Sequence, residues 1–102
     1  MDLYRKEIIK QGKEFGIENR LNQTQEECAE LIQAISKYRR TVIEKDDTCP
    51  MDEQVALNKV KEEIADVEIC ITQLKELLSI SKMQLEGIKS VKVNRTKRRM
   101  QK

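Results

Sequence analysis

Residues that disrupt helices are scarce in this chain. Its 102 residues include one proline, Pro50, and three glycines. Proline and glycine disfavour helix interiors more than any other residues, so their scarcity removes the main obstacle to helix formation. Glu, Lys, Leu, Ile and Gln, which suit helices, are abundant. The chain is therefore predicted to be all-α.

Apolar residues at three- and four-residue spacing indicate where the helices lie. Gly16 is expected to end the first helix. Asn22 or Thr24 is expected to cap the second, and Asp52 the third. The clearest break is the polar segment 44–50, which carries the proline. The predicted helices are 3–15, 22–43, 52–80 and 82–99.

The apolar content is low for a domain of this size. Hydrophobic residues make up 38% of the chain and aromatic residues 3%, and a domain near 100 residues buries only about 60–70% of its unfolded surface. Helices that share apolar faces with a second subunit bury more. We therefore expect a single domain over 1–102, an antiparallel bundle of three to four helices completed by homo-oligomerisation.

The net charge of +2 conceals two regions of opposite sign. The segment 89–102 holds no acidic residue, and residues 1–88 carry a net charge of −5. A basic segment of this kind attracts phosphate groups of a nucleotide, a nucleic acid or a lipid headgroup. Its seven basic residues are Lys89, Lys92, Arg95, Lys97, Arg98, Arg99 and Lys102.

The chain contains no histidine, which excludes Ser-His-Asp and Cys-His catalytic systems and histidine-based zinc sites. Three cysteines without a CxxC pair, and no apolar segment typical of a signal peptide or a membrane span, lead us to expect a reducing cytoplasm and no membrane partner. Cys28 and Cys70 fall on apolar stripes and are expected to be small core residues.

Two acidic clusters lie beside the apolar stripes of the second and third predicted helices. Each contains a carboxylate pair at i,i+3 spacing, which lies on one helix face. At roughly 100° per residue, Glu27 is about 60° and Glu63 about 40° from the centre of its stripe. Glu30 and Asp66 are predicted at the rim, and Glu26 and Glu62 in solvent.

An ordinary acidic surface explains Glu26 and Glu62 well, but it explains Glu63 poorly because burying an unpaired carboxylate is costly. Two carboxylate pairs on facing helices repel each other unless a cation lies between them. Oxygen ligands in a helical cleft suit a hard divalent cation, Mg²⁺ or Mn²⁺. Without histidine, phosphate chemistry is favoured over redox iron.

The clusters Glu26-Glu27-Cys28-Ala29-Glu30 and Glu63-Ile64-Ala65-Asp66 resemble the EExxE and ExxD motifs of the MazG-type, all-α nucleoside triphosphate pyrophosphohydrolases. The resemblance covers roughly residues 15–99 and extends to the basic end, KVNRTKRR. It implies Mg²⁺-dependent hydrolysis of a nucleoside triphosphate to the monophosphate and pyrophosphate. It also implies a homodimer or homotetramer whose active sites are completed by a second subunit. The implied metal ligands are Glu27, Glu30, Glu63 and Asp66.

The segment between Glu30 and Glu63 has 32 residues, which is longer than we expect for compact members of that family. The extra length is assigned to the 46–53 loop, which is expected to affect substrate choice. One of the four carboxylates, or Glu26, is expected to orient or deprotonate the attacking water. Positive side chains neutralise the triphosphate charge. The candidates are Lys37, Arg40, Lys92 and Arg95.

Two alternatives remain open. In the first, the chain is a non-enzymatic helical module or regulator that binds nucleic acid or an acidic partner through 89–102; the enzymatic interpretation needs no nucleic-acid partner. In the second, the substrate is phosphoribosyl-ATP, which enzymes with a similar helical fold hydrolyse.

Overall fold

Residues 4–48 and 51–101 are described by the computed structural model of the chain. Over these ranges the chain is helical and contains no strand, so the all-α prediction is confirmed. The helices are α1 (Arg5–Phe15), α2 (Ile17–Tyr38), α3 (Glu53–Leu77) and α4 (Lys82–Met100), and α2 continues directly into a π-helical turn, Arg39–Ile43.

The long helices α2 and α3 pack against each other in antiparallel orientation and form the largest interface of the fold. The small buried residues Ala34 on α2 and Ala56 on α3 allow close approach of the two backbones near one end of the interface. Val67 and Cys70 fill it further along α3, and the prediction that Cys70 is a core residue is confirmed.

Helix α1 packs mainly against α3, around the buried side chain of Gln73. The Gln73 amide donates a hydrogen bond to the Ile8 carbonyl at 2.9 Å, and its oxygen accepts one from Arg20 at 3.2 Å. Gly12 faces the same side chain, and a Cβ there would lie 2.8 Å from Gln73 Cγ. Because Gly12 has no side chain, it leaves room for Gln73 and for the hydrogen bonds by which Gln73 connects α1, α2 and α3.

The segment between α2 and α3 is held by polar contacts. The Arg40 guanidinium lies 3.3 Å from the Asp46 carboxylate and donates a hydrogen bond to Thr48. Asp52 caps α3, as predicted, by accepting hydrogen bonds from the backbone N–H groups of Gln54 and Val55. Cys49 and Pro50, part of the predicted break, lie outside the described residues.

Helix α4 packs against none of the other three helices within the described ranges. It begins with a capping box, in which Ser81 and Gln84 each accept a hydrogen bond from the other's backbone N–H. Its apolar side chains Met83, Ile88, Val91 and Val93 are exposed. The helix runs through Gly87 without interruption.

Two details of the second helix also differ from the prediction. It begins at Ile17, immediately after Gly16 at φ 87°, so Asn22 and Thr24 are interior residues and not caps. The left-handed backbone of Gly16 turns the chain without a loop. Cys28 is exposed, which contradicts its expected place in the core. Within the described residues, no helix combines the length and the apolar character needed to cross a membrane.

The contact at Gly12 leads to a first prediction. Gly12→Ala is expected to lower the free energy of unfolding by about 1–3 kcal/mol, because the hydrogen-bonded Gln73 cannot easily move aside. Gly87→Ala is the matched control, since nothing lies within 4 Å of a Cβ built there. That control is expected to be neutral or to add up to about 1 kcal/mol. Urea unfolding measures both, and equal effects would contradict the close contact.

Candidate metal centre

Three carboxylates from two helices converge in the middle of the α2–α3 interface. Glu27 comes from α2, and Glu63 and Asp66 come from α3 one turn apart. Each offers an oxygen, and these oxygens all lie within 4.8 Å of one another. The i,i+3 spacing and the antiparallel packing of the helices bring the two predicted motifs together.

Glu63 is the most buried of these carboxylates, with 3% of its side chain exposed. Its Oε1 is 3.1 Å from the Lys59 ammonium, which lies one turn earlier on α3. Its Oε2 is buried and has no hydrogen-bond partner among the described residues. A buried carboxylate loses its hydration, and partners on both oxygens are needed to offset that cost. Lys59 contacts only one oxygen of Glu63, so the desolvation cost is only partly offset.

Glu27 is half-buried and faces the same problem from the α2 side. Gln23 donates a hydrogen bond to its Oε1 at 2.8 Å, while its buried Oε2 has no partner among the described residues. Burial raises the pKa of Glu27 above its usual value, and the negative charges of Asp66, Glu30 and Glu63 raise it further. The Gln23 hydrogen bond opposes this rise only in part.

The residues present fit a hard divalent cation. Two buried carboxylate oxygens without partners, on Glu27 and Glu63, belong to a group whose third member is also a carboxylate. An oxygen-only donor set of this kind suits Mg²⁺ or Mn²⁺. A cation there would satisfy both oxygens and cancel the mutual repulsion that the pKa of Glu27 reflects.

Glu30, the fourth predicted ligand, is exposed and lies just outside the group of three. It lines an adjoining cavity of about 210 Å³, which we call the niche. The niche also contains Lys37, predicted to bind substrate, and Lys59, which the sequence reasoning missed. The signal for Lys59 was present in its i,i+4 spacing to Glu63, a spacing that favours ion pairs on a helix.

The remaining predicted residues lie apart from the carboxylates within one chain. Glu26 and Glu62 are exposed, as predicted. Arg40 is engaged by Asp46 in the loop. Lys92 and Arg95 are on α4, which does not pack against α2 or α3, so one chain does not bring them to the carboxylates.

Searches against known protein families, curated proteins and solved structures found no match to the chain. The candidate site therefore rests on its own geometry and chemistry.

The raised pKa of Glu27 gives a pH prediction for the metal-free protein. A carboxyl with a higher pKa in the folded state binds a proton more readily there than when unfolded. As pH falls from neutral through that raised pKa toward 4.5, wild type is expected to gain stability relative to Glu27→Gln. Below the unfolded value the gain is complete.

Urea unfolding in a chelator at a series of pH values measures this difference. Glu26→Gln is the control, since it removes an exposed carboxylate outside the cluster. A stability of wild type relative to Glu27→Gln that does not change with pH, or that decreases as pH falls, would contradict the assignment.

Proposed function

We propose that the chain is a Mg²⁺-dependent hydrolase that converts a nucleoside triphosphate to the monophosphate and pyrophosphate. The observation that carries this proposal is the buried carboxylate of Glu63, with one oxygen on Lys59 and the other without a partner, beside Glu27 and Asp66. The motif resemblance to MazG-type enzymes supplies the reaction. Mn²⁺ is the alternative ion.

In this proposal Glu27, Glu63 and Asp66 hold the cation, and Glu30 extends the ligand set from the rim. When bound, Mg²⁺ neutralises charge on the phosphate oxygens and polarises them. The rigid α2–α3 packing keeps the three carboxylates together before substrate arrives, which reduces the reorganisation that the reaction requires.

The reaction needs a base for water. Glu30 at the rim, or Glu26 next to Glu27 in the sequence, takes the proton as the water oxygen bonds to the α-phosphorus. The bond between that phosphorus and the bridging oxygen breaks, and pyrophosphate leaves with the electron pair. Both residues are exposed on α2, where water reaches them.

A sharp test is Glu63→Gln, which keeps the shape of the side chain and removes its charge. Pyrophosphate release with Mg²⁺ is expected to fall at least about a hundredfold in kcat/KM, equivalent to about 2.7 kcal/mol. Helix content by circular dichroism should be unchanged. Glu62→Gln, an exposed neighbour on the same helix, is the control and should retain activity.

Standard and modified nucleoside triphosphates serve as substrates, with pyrophosphate scored against orthophosphate. Near-full activity of Glu63→Gln would overturn the site. Orthophosphate alone, or no product from any substrate, would overturn the reaction. Salt-sensitive binding of nucleic acid through α4 in an inactive protein would favour the non-enzymatic alternative.

The assembly is part of the proposal, because the α2–α3 pair has two unlike flanks. Leu21 and Glu30 are nine residues apart on α2, which places them roughly 180° apart. Ile64 and Asp66 likewise point to opposite sides of α3. One flank carries the site, and the other is apolar and solvent-exposed within the chain. That apolar flank consists of Leu21, Ile32, Ile35, Ile64, Ile71 and Leu78.

A second copy of the chain is the occupant we propose for the apolar flank. A contiguous exposed apolar surface is typical of an interface. The unpacked α4 also needs a surface to pack against, because most helix stability in proteins comes from packing. A partner's α4 would also bring Lys92 and Arg95 toward the carboxylates, which the charge of this helix favours.

Ile64→Lys is expected to convert the oligomer to a monomer, because a charged side chain cannot be buried in an apolar interface without a partner. Ile69→Lys is the control: Ile69 has similar exposure, 38% against 42%, and lies roughly 140° away on α3. Light scattering after size exclusion gives the mass. A wild-type monomer at micromolar concentration would contradict the assembly.

A further inference from the structure

The niche beside the carboxylates carries an inference that deepens the proposed function and rests on it. Its walls are Glu30, Gln33, Ala34, Lys37, Lys59 and Glu63. Two of these side chains are ammonium groups, and Gln33 adds an amide donor. Ala34, buried and small, leaves the space between the helices unfilled.

Lys59 contacts the Glu63 carboxylate and also lines the niche. Its ammonium is 3.1 Å from Glu63 and 3.8 Å from Glu62. Like other lysines, Lys59 is positively charged at neutral pH. It is half-exposed at the niche, on a flexible four-carbon stem. A divalent cation held by Glu63 would replace Lys59 as the positive partner of that carboxylate.

With a cation held by Glu63, Lys59 would lose its attraction to that carboxylate and would face the niche together with Lys37. The two ammonium groups would then attract an anion, and the charge of the cation would add to that attraction. A phosphate group suits this site, because its several oxygens can accept hydrogen bonds from both lysines.

We propose that the niche binds the pyrophosphate end of the substrate, and that Lys59 moves from Glu63 to the terminal phosphates when the metal is in place. The niche of about 210 Å³ is smaller than the roughly 300–1,000 Å³ of sites for drug-sized ligands. We therefore assign the phosphates to the niche and place the nucleoside outside it, which sets the direction in which the triphosphate lies.

The direction follows from the antiparallel packing. Arg20 on α2 pairs with Gln73 on α3, whereas Ala34 meets Lys59 at the niche. The niche therefore extends from Glu30 and Glu63 by about one turn, or roughly 5.4 Å, toward the end of α2 and the start of α3. The scissile α-phosphorus lies at the carboxylates, and the leaving pyrophosphate lies beyond them in the niche.

The test is titration calorimetry of the full chain with inorganic pyrophosphate and Mg²⁺. Lys59→Gln is expected to weaken pyrophosphate binding at least about tenfold, as the loss of a charge-assisted hydrogen bond requires. Lys37→Gln is expected to weaken it less, because Lys37 lies further from Glu63 along the helices. Lys61→Gln, an exposed lysine on α3 outside the niche, should change it less than twofold.

Mg²⁺ binding without pyrophosphate distinguishes the movement of Lys59 from a general loss of structure. Lys59→Gln should bind Mg²⁺ as tightly as wild type or more tightly, since the competing ammonium is gone. Weaker Mg²⁺ binding by this variant would overturn the movement. Unchanged pyrophosphate affinity in both Lys59→Gln and Lys37→Gln would overturn the niche.

The inference and the proposed function fail in different ways. If wild type hydrolyses a nucleoside triphosphate but Lys59→Gln and Lys37→Gln both bind pyrophosphate normally, the niche is wrong and the reaction stands. If pyrophosphate binds with the expected dependence on Lys59 but no nucleoside triphosphate is hydrolysed, the niche stands as a polyphosphate site and the reaction is wrong.

Discussion

The buried carboxylate of Glu63 is the constraint on which the central part of the structure depends. It lies between two helices, with Lys59 on one oxygen and nothing among the described residues on the other. Burying such a group costs several kcal/mol in desolvation unless charge and hydrogen bonds offset it. A chain with only a hydrophobic interface at this point would avoid that cost. The cost is therefore the physical reason to interpret the site as functional.

The two flanks of the α2–α3 pair carry different kinds of side chain, because residues at different angles around each helix face different sides. Carboxylates and lysines lie on one flank, and exposed isoleucines and leucines lie on the other. Small residues such as Ala34 and Ala56 bring the backbones together without filling the polar flank. Gln73 and Gly12 dock α1 on α3, beyond the carboxylates along the helix. The α2–α3 pair therefore places the candidate site and the exposed apolar flank on different sides.

Much of the candidate site was predictable because it depends on local spacing. The i,i+3 pairs and the angle of Glu63 to its apolar stripe correctly indicated which carboxylates approach the interface. Cys28 was wrongly predicted to be buried. The apolar stripe of α2 is wider than the interface with α3, and the sequence does not show which part of the stripe that interface covers. The start of α2 was also missed, since Gly16 joins two helices directly instead of ending one before a loop.

The sequence by itself determined the helical fold and the residue types available for chemistry, because both follow from helix propensity, apolar spacing and the absence of histidine. Only the tertiary structure decided which groups meet. Helix spacing alone puts Lys59 next to Glu63, but only the packing of α2 on α3 buries that carboxylate, leaving 3% of its side chain exposed. Asp66 joins Glu27 and Glu63 while Glu30 stays outside the group, and Arg40 pairs with Asp46. Distances between elements depend on backbone packing, which residue spacing within one helix does not fix.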